Sequence, residues 1–128
     1  MTVVRWLSAL TALLVLVQAG LIGQALFLNQ LSLVGVHGWL GSGSLLLAIV
    51  LVGAIFLAVQ RGELPRSSLV LGAVIVLLMV AQLGLGYMGR RQGLPAAIHI
   101  PNGVLIASLL AALLTSTFVG PRSVSARS

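Results

Sequence analysis

Cysteine, lysine and aspartate are all absent from this chain of 128 residues. Without cysteine there can be no disulfide, zinc thiolate site or iron–sulfur cluster. Charge is scarce as well: seven Arg and one acid, Glu63, make up the 6% of residues that are charged, whereas 59% are hydrophobic. A soluble domain of this size typically carries about a quarter charged residues to cover its surface. The pI near 12.0 could point to nucleic acid. The Arg residues, however, stand singly or in pairs between long apolar runs, and do not cluster on a solvated face as DNA binding requires. That is how a membrane protein distributes its loop charges. No nucleic-acid partner is expected; the immediate partner is membrane lipid. Arg without Lys, amid Ala, Gly, Leu and Val, is the usage of a GC-rich bacterial genome.

What is present is apolar sequence in spanning lengths. A membrane helix needs about 20 apolar residues. The uncharged run from Trp6 to Gln60 is too long for a signal peptide and long enough for two spans. It is broken at the turn-prone Asn29-Gln30-Leu31-Ser32, where Ser32 is a candidate N-cap. The expected helices are 6–28, 33–60, 67–89 and 95–119, with a polar tail at 120–128. Between them lie the charged loop Arg61-Gly62-Glu63-Leu64-Pro65-Arg66 and the turn Arg90-Arg91-Gln92-Gly93; Pro95 suits a first helical turn. Short connections make successive helices antiparallel neighbours. The fold class is therefore all-α: a transmembrane up-down-up-down four-helix bundle forming a single domain over residues 1–128.

Arg5, Arg61, Arg66, Arg122 and Arg127 fall at one end; Arg90 and Arg91 fall at the other. The positive-inside rule then puts both termini in the cytoplasm of a bacterial inner membrane. The Arg90-Arg91 pair runs against that rule. It is either tolerated in a short outer turn or held there by a ligand.

The chain also reads as two copies of one hairpin. Val17-Gln18-Ala19-Gly20-Leu21 resembles Ala81-Gln82-Leu83-Gly84-Leu85. Each copy is followed by a turn and a helix with one His near its start, 19 residues after Gln18 and 17 after Gln82. His37 and His99 then lie roughly 8 Å and 6 Å below the outer helix ends. Helices 2 and 4 are parallel and diagonal in a short-looped bundle, so inward-pointing rings would face each other across its axis. Ionisable groups within a membrane are costly and usually mark function. Two imidazoles at one depth fit the axial positions of a haem iron, whose apolar macrocycle suits a dry bundle core.

A macrocycle needs room, and glycines gather at that level: Gly20, Gly23, Gly84 and Gly86 on helices 1 and 3, Gly35, Gly38, Gly41 and Gly43 around His37, and Gly103 after His99. Close helix packing explains single glycines equally well. Pro101 leaves a carbonyl of the preceding turn without its donor, which either aims His99 or makes an ordinary kink. Arg90 and Arg91 could pair with haem propionates. Gln24 and Gln82 could bond a ring nitrogen or the cofactor, or simply each other's helices. Met79 and Met88 are not beside the histidines, which disfavours copper.

The single acid lies in a loop, so no carboxylate relay, Ser–His–acid set or carboxylate pair can be assembled. Independent catalysis is not expected.

The motifs Val-His-Gly-Trp-Leu-Gly around His37 and Ile-His-Ile-Pro-Asn-Gly around His99 resemble haem A synthase. That family is built from two tandem four-helix bundles, each with a His on its second and fourth helices near the outer face. The chain is similar to the haem-b-carrying bundle, and also resembles small bacterial four-helix membrane proteins with a His-Pro-type motif opening helix 4. The resemblance implies bis-His ligation of haem b by His37 and His99; the charge and depth readings above add Arg90, Arg91, Gly20, Gly84, Gly41 and Gly103 around it. The chain has one bundle, and its outer loops lack the acid and Cys pair of the synthase. Haem holding carries over; haem modification does not. The expected function is electron transfer near the outer face, with a redox partner, a larger membrane complex or a second copy as partner. The alternatives are a non-catalytic anchor or assembly subunit of a respiratory complex, and a quinone- or lipid-binding bundle.

Overall fold

A computed structural model describes residues 1–89 and 91–118. It contains α1 (Thr2–Phe27), α2 (Ser32–Gln60), α3 (Arg66–Gly89) and α4 (Gly93–Ser116). The described residues contain no strand. All four helices are long and apolar enough to cross a membrane, so this is a multi-pass membrane protein. The shortest, at 24 residues, spans about 36 Å against a hydrocarbon core of about 30 Å.

The helix ends follow backbone chemistry. After α1, Asn29 takes a left-handed φ of 53°, and Gln30 N–H reaches back to the Ala25 carbonyl at 3.0 Å. After α2, Gly62 does the same with φ 70°, and Glu63 N–H bonds the Ala58 carbonyl at 2.9 Å. Both are Schellman closures, which favour Gly or Asn at that position. Ser32 is the first residue of α2 rather than its cap; the cap is Leu31, with no side-chain bond. α1 begins at Thr2, four residues before Trp6. Arg5 belongs to the helix because its guanidinium donates to the Thr117 carbonyl at 3.0 and 2.6 Å and lies 4.6 Å over the Phe118 ring. α4 begins at Gly93, with Pro95 in its first turn. It ends at Ser116; Val119, Arg90 and the tail at 120–128 lie outside the described residues.

The helices form a ring in which α1 packs on α2 and α4, and α3 packs on α2 and α4, while the diagonals stay apart. Because every helix is apolar all round, hydrophobicity does not tell inside from outside. The inward seam is instead marked by residues three and four apart, many of them small or polar: Val4, Ser8, Thr11 and Gln18 on α1, and Ser68, Gly72, Ile75, Met79, Gln82 and Gly86 on α3. This is coiled-coil spacing. Small inward residues let membrane helices approach closely: a Cβ on Gly72 would meet Ile55 Cδ1 and Val52 Cγ2, both at 3.2 Å. The aromatic side chains turn outward. Trp6, Phe56 and Phe118 are exposed towards the end carrying the termini, and Phe27, Trp39 and Tyr87 towards the end carrying the α1–α2 and α3–α4 turns. Aromatics at two levels form the belts seen at membrane–water boundaries.

The two halves of the bundle differ. Leu51, Ile55, Ile75, Ile106, Leu110 and Leu113 are at most 2% exposed, and all lie in the half nearer the termini. In the turn-end half, burial among described residues is confined to Met79, beside the midpoint of α3, and to small or ring side chains such as Ala25, Ser44 and Pro95. Stability is concentrated in one half, and the other is built from Gly and polar side chains.

At the terminal end, the Met1 amine pairs with Glu63. That hydrogen bond and charge, with a smaller push from Arg61, hold the Glu63 carboxyl below its ordinary range despite some desolvation. A depressed carboxyl adds stability that is present above its unfolded pKa and lost as pH falls through the folded one. Thermal melts in detergent should therefore show an acid-side loss, below the ordinary carboxylate range, that Glu63→Gln removes. Parallel curves for the two proteins would show that the pair contributes nothing.

Candidate functional site: a histidine pair across the bundle

His37 and His99 lie on the inward seams of α2 and α4, and their rings meet across the bundle. The ring centres are 6.0 Å apart with planes inclined by 70°. Each ring is held the same way by the preceding helix of its own hairpin. His37 Nδ1 lies 3.1 Å from the Gln18 carbonyl, and His99 Nδ1 lies 3.0 Å from the Gln82 carbonyl. A carbonyl can only accept, so each Nδ1 carries a proton and donates it. This backbone bond is the usual device for orienting a ligating imidazole. Neither Nε2 has a hydrogen-bond partner among the described residues.

The hairpins repeat in a second respect. Gly41 and Gly103 each follow their His by four residues. A Cβ at Gly41 would meet Gln18 Oε1 at 3.2 Å, and one at Gly103 would meet Gln82 Nε2 at 3.0 Å. Each glycine therefore seats the side chain of the glutamine whose carbonyl holds the ring. The glutamines are tied differently. Gln18 Nε2 donates to Ser44 Oγ at 2.8 Å and to the Leu14 carbonyl at 3.2 Å. Gln82 Oε1 accepts from Asn102 Nδ2 at 2.6 Å, and the same nitrogen donates to the Leu78 carbonyl at 3.0 Å.

Other expected site residues fall elsewhere. Gly20 and Gly84 sit two residues beyond Gln18 and Gln82, off the seam and exposed, and a Cβ on either meets nothing within 4 Å. They do not line the space beside the histidines. Depth placed them correctly and helix rotation did not. The α3 glycine that lies against the His99 ring is Gly86, whose Cβ would stand 3.1 Å from His99 Cε1. Gly86 was visible as one of several outer glycines, but without the seam it had no distinguishing mark. Arg91 is exposed, and with Tyr87, Met88 and Gln92 it lines an open cleft of about 510 Å³ at the α3–α4 turn. Arg90 lies outside the described residues. Gln24 is exposed and away from the rings. A second cleft of about 250 Å³ opens on the α2–α3 flank beside His37, lined by Gly35, Gly38, Trp39, Ser42 and Tyr87.

No protein-family model, curated protein or solved structure matches this chain. The chemistry is therefore argued from the donor set alone. Among the described residues no group of three or more His, Cys, Asp or Glu could enclose a metal ion. Two imidazoles suffice only where the metal arrives with its other ligands, as iron does in a porphyrin. The two imidazoles, with ring centres 6.0 Å apart, planes inclined by 70° and each Nδ1 on a backbone carbonyl, are of the donor type that would hold such a group.

Proposed function

We propose that this protein is a small membrane b-type cytochrome that holds one haem b between His37 and His99. The observation that carries the reading is the matched pair of Nδ1–carbonyl bonds. They leave both Nε2 atoms without a hydrogen-bond partner among the described residues, on rings whose centres are 6.0 Å apart inside a membrane bundle. A bound haem would supply a one-electron redox centre. The chain's own part is to orient both imidazoles, and to surround the pair with apolar helices that keep water out. If His37 and His99 both hold the haem, the iron would have no place for oxygen or substrate, so electron transfer is the activity this arrangement would serve best.

In the orientation given by the loop charges, the site lies near the outer face of a bacterial inner membrane, with the termini in the cytoplasm. Arg91, which lines an open cleft at the α3–α4 turn, would be available to an anionic group such as a propionate. The loops described are too short to form a docking domain of their own. Electrons would therefore pass through a partner packed in the membrane plane or seated on the turn end, such as a larger membrane complex. The same shortness favours the second reading, a non-catalytic anchor or assembly subunit.

The absorbance spectrum of protein purified from haem-supplied cells separates them. The cytochrome reading expects a low-spin Soret band and sharpened α and β bands on reduction. A colourless, well-folded protein would leave the anchor reading in possession.

A further inference from the structure

The two hairpins hold their histidines with unequal security, and the difference lies at Asn102. Pro101 sits inside α4 and has no backbone N–H, so the Ala97 carbonyl loses its helical donor. His99 therefore rides on a turn that is one ladder bond short. Asn102 follows immediately and uses both of its amide hydrogens on α3, one for the Leu78 carbonyl at 3.0 Å and one for Gln82 Oε1 at 2.6 Å. With the His99 Nδ1–Gln82 carbonyl bond, a single turn of α4 is pinned to a single turn of α3 at two levels, residue 99 on 82 and residue 102 on 78. Hairpin 1 has the first of these pins, and its second cross-helix bond runs from Gln18 to Ser44, seven residues beyond His37, not from the turn that carries the ring. At the place equivalent to Asn102 this hairpin carries the apolar Leu40, and the second amide hydrogen of Gln18 goes to its own helix at Leu14.

We infer that Asn102 is a positioning residue for His99. By fixing the register of α3 against the proline-weakened turn, it keeps the Gln82 carbonyl on Nδ1, and so keeps His99 Nε2 turned to the site. This deepens the haem reading, on which its functional meaning rests, but it concerns the ring itself and can be read without any pigment.

The test is the imidazole ¹⁵N spectrum of the full-length protein in lipid nanodiscs, prepared under haem-depleted growth. Wild type should show both histidines as the Nδ1–H tautomer. In Asn102→Leu, the ratio of Nδ1–H to Nε2–H at His99 should fall roughly fivefold, the effect of losing about one net hydrogen bond, while His37 keeps its wild-type signal. Gln82→Leu, which retains the carbonyl but removes the side chain that Asn102 grips, should act in the same direction and stands in if Asn102→Leu fails to fold. Ser108→Ala, an exposed hydroxyl on the same helix, should change neither ring. An unchanged His99 signal in the variants overturns the inference. So does an equal change at both histidines, which would mark general loosening. Absence of haem from the native protein would overturn the cytochrome reading and leave this tautomer result standing.

Discussion

His37→Ala and His99→Ala should each abolish the low-spin spectrum, while the protein still folds and remains in the membrane. Loss of an orienting partner of a metal-bound His typically costs 10- to 100-fold in affinity, so loss of the ligand itself should cost more than about 100-fold. What pigment remains should be high-spin, because one axial position is then open. The structural consequence should be small. Each ring makes one hydrogen bond, to a carbonyl within a helix, worth about 1 kcal/mol net. The densely packed half of the bundle around Leu51, Ile55, Ile75 and Leu110 is untouched. Absorbance and circular dichroism on the same samples check both parts. Two variants that keep a wild-type low-spin spectrum would remove these residues as ligands. Two variants that unfold would make the histidines structural.

Gly86→Leu should cost at least about tenfold in haem content, and Gly84→Leu less than about twofold, the difference between overpacking a filled site and decorating a surface. The two glycines lie on the same helix two residues apart, so changes in helix propensity and hydrophobicity cancel in the comparison. They differ in direction. A Cβ at Gly86 is 3.1 Å from His99 Cε1 and 3.4 Å from Nδ1, whereas a Cβ at Gly84 meets nothing. The ring at His99 cannot retreat without breaking its bond to the Gln82 carbonyl, so the added side chain must displace the imidazole or part α3 from α4. Haem per chain, measured after purification in the same detergent, decides the matter. Equal loss in both variants would mean that Gly84 shares the site after all and that the seam has been misread.

The contrast between these glycines shows what was legible in the sequence. Four spans, their approximate limits and their antiparallel order follow from apolar length and short turns, and the structure has them. The end positions moved where a side chain acts at long range: Arg5 is gathered into α1 by the Thr117 carbonyl, 112 residues away. Depth was equally legible, because it depends only on counting from a turn, and it brings His37 and His99 to one level. Rotation was not, because helices that are apolar on every side carry no amphipathic signal. The available signal was the reverse of the soluble one, with polar and small residues at spacings of three and four pointing inward: Ser8, Thr11 and Gln18, then Ser68, Gly72, Gln82 and Gly86. Applied to α3, that rule selects Gly86 over Gly84.

The repeat was legible as the shared glutamine and histidine, and the Gln82 side chain makes the polar contact between helices that was one of its expected roles; the part played by the backbone was not legible. In each hairpin the glutamine's backbone carbonyl meets the ring, and its side chain is seated on Gly41 or Gly103. Asn102 had no sequence mark beyond its place in the Ile-Pro-Asn-Gly run. Its two bonds, to residues 20 and 24 positions earlier, appear only once α3 and α4 are packed.

The division of the bundle into a dense half and a half rich in glycine and amide side chains gives the account its physical logic. Packing in the terminal half can carry the fold, so the turn-end half is free to hold two imidazoles at 6.0 Å without their having to contribute much stability. Such a separation allows the site to be altered while the scaffold survives, which is what makes the variants above informative.

The most direct measurement is the number of haem b molecules per polypeptide, by pyridine haemochrome against amino-acid analysis, in wild-type protein purified from cells supplied with haem. The account expects a value near one, falling to background when both histidines are replaced together. A wild-type value no higher than that of the double variant would contradict it.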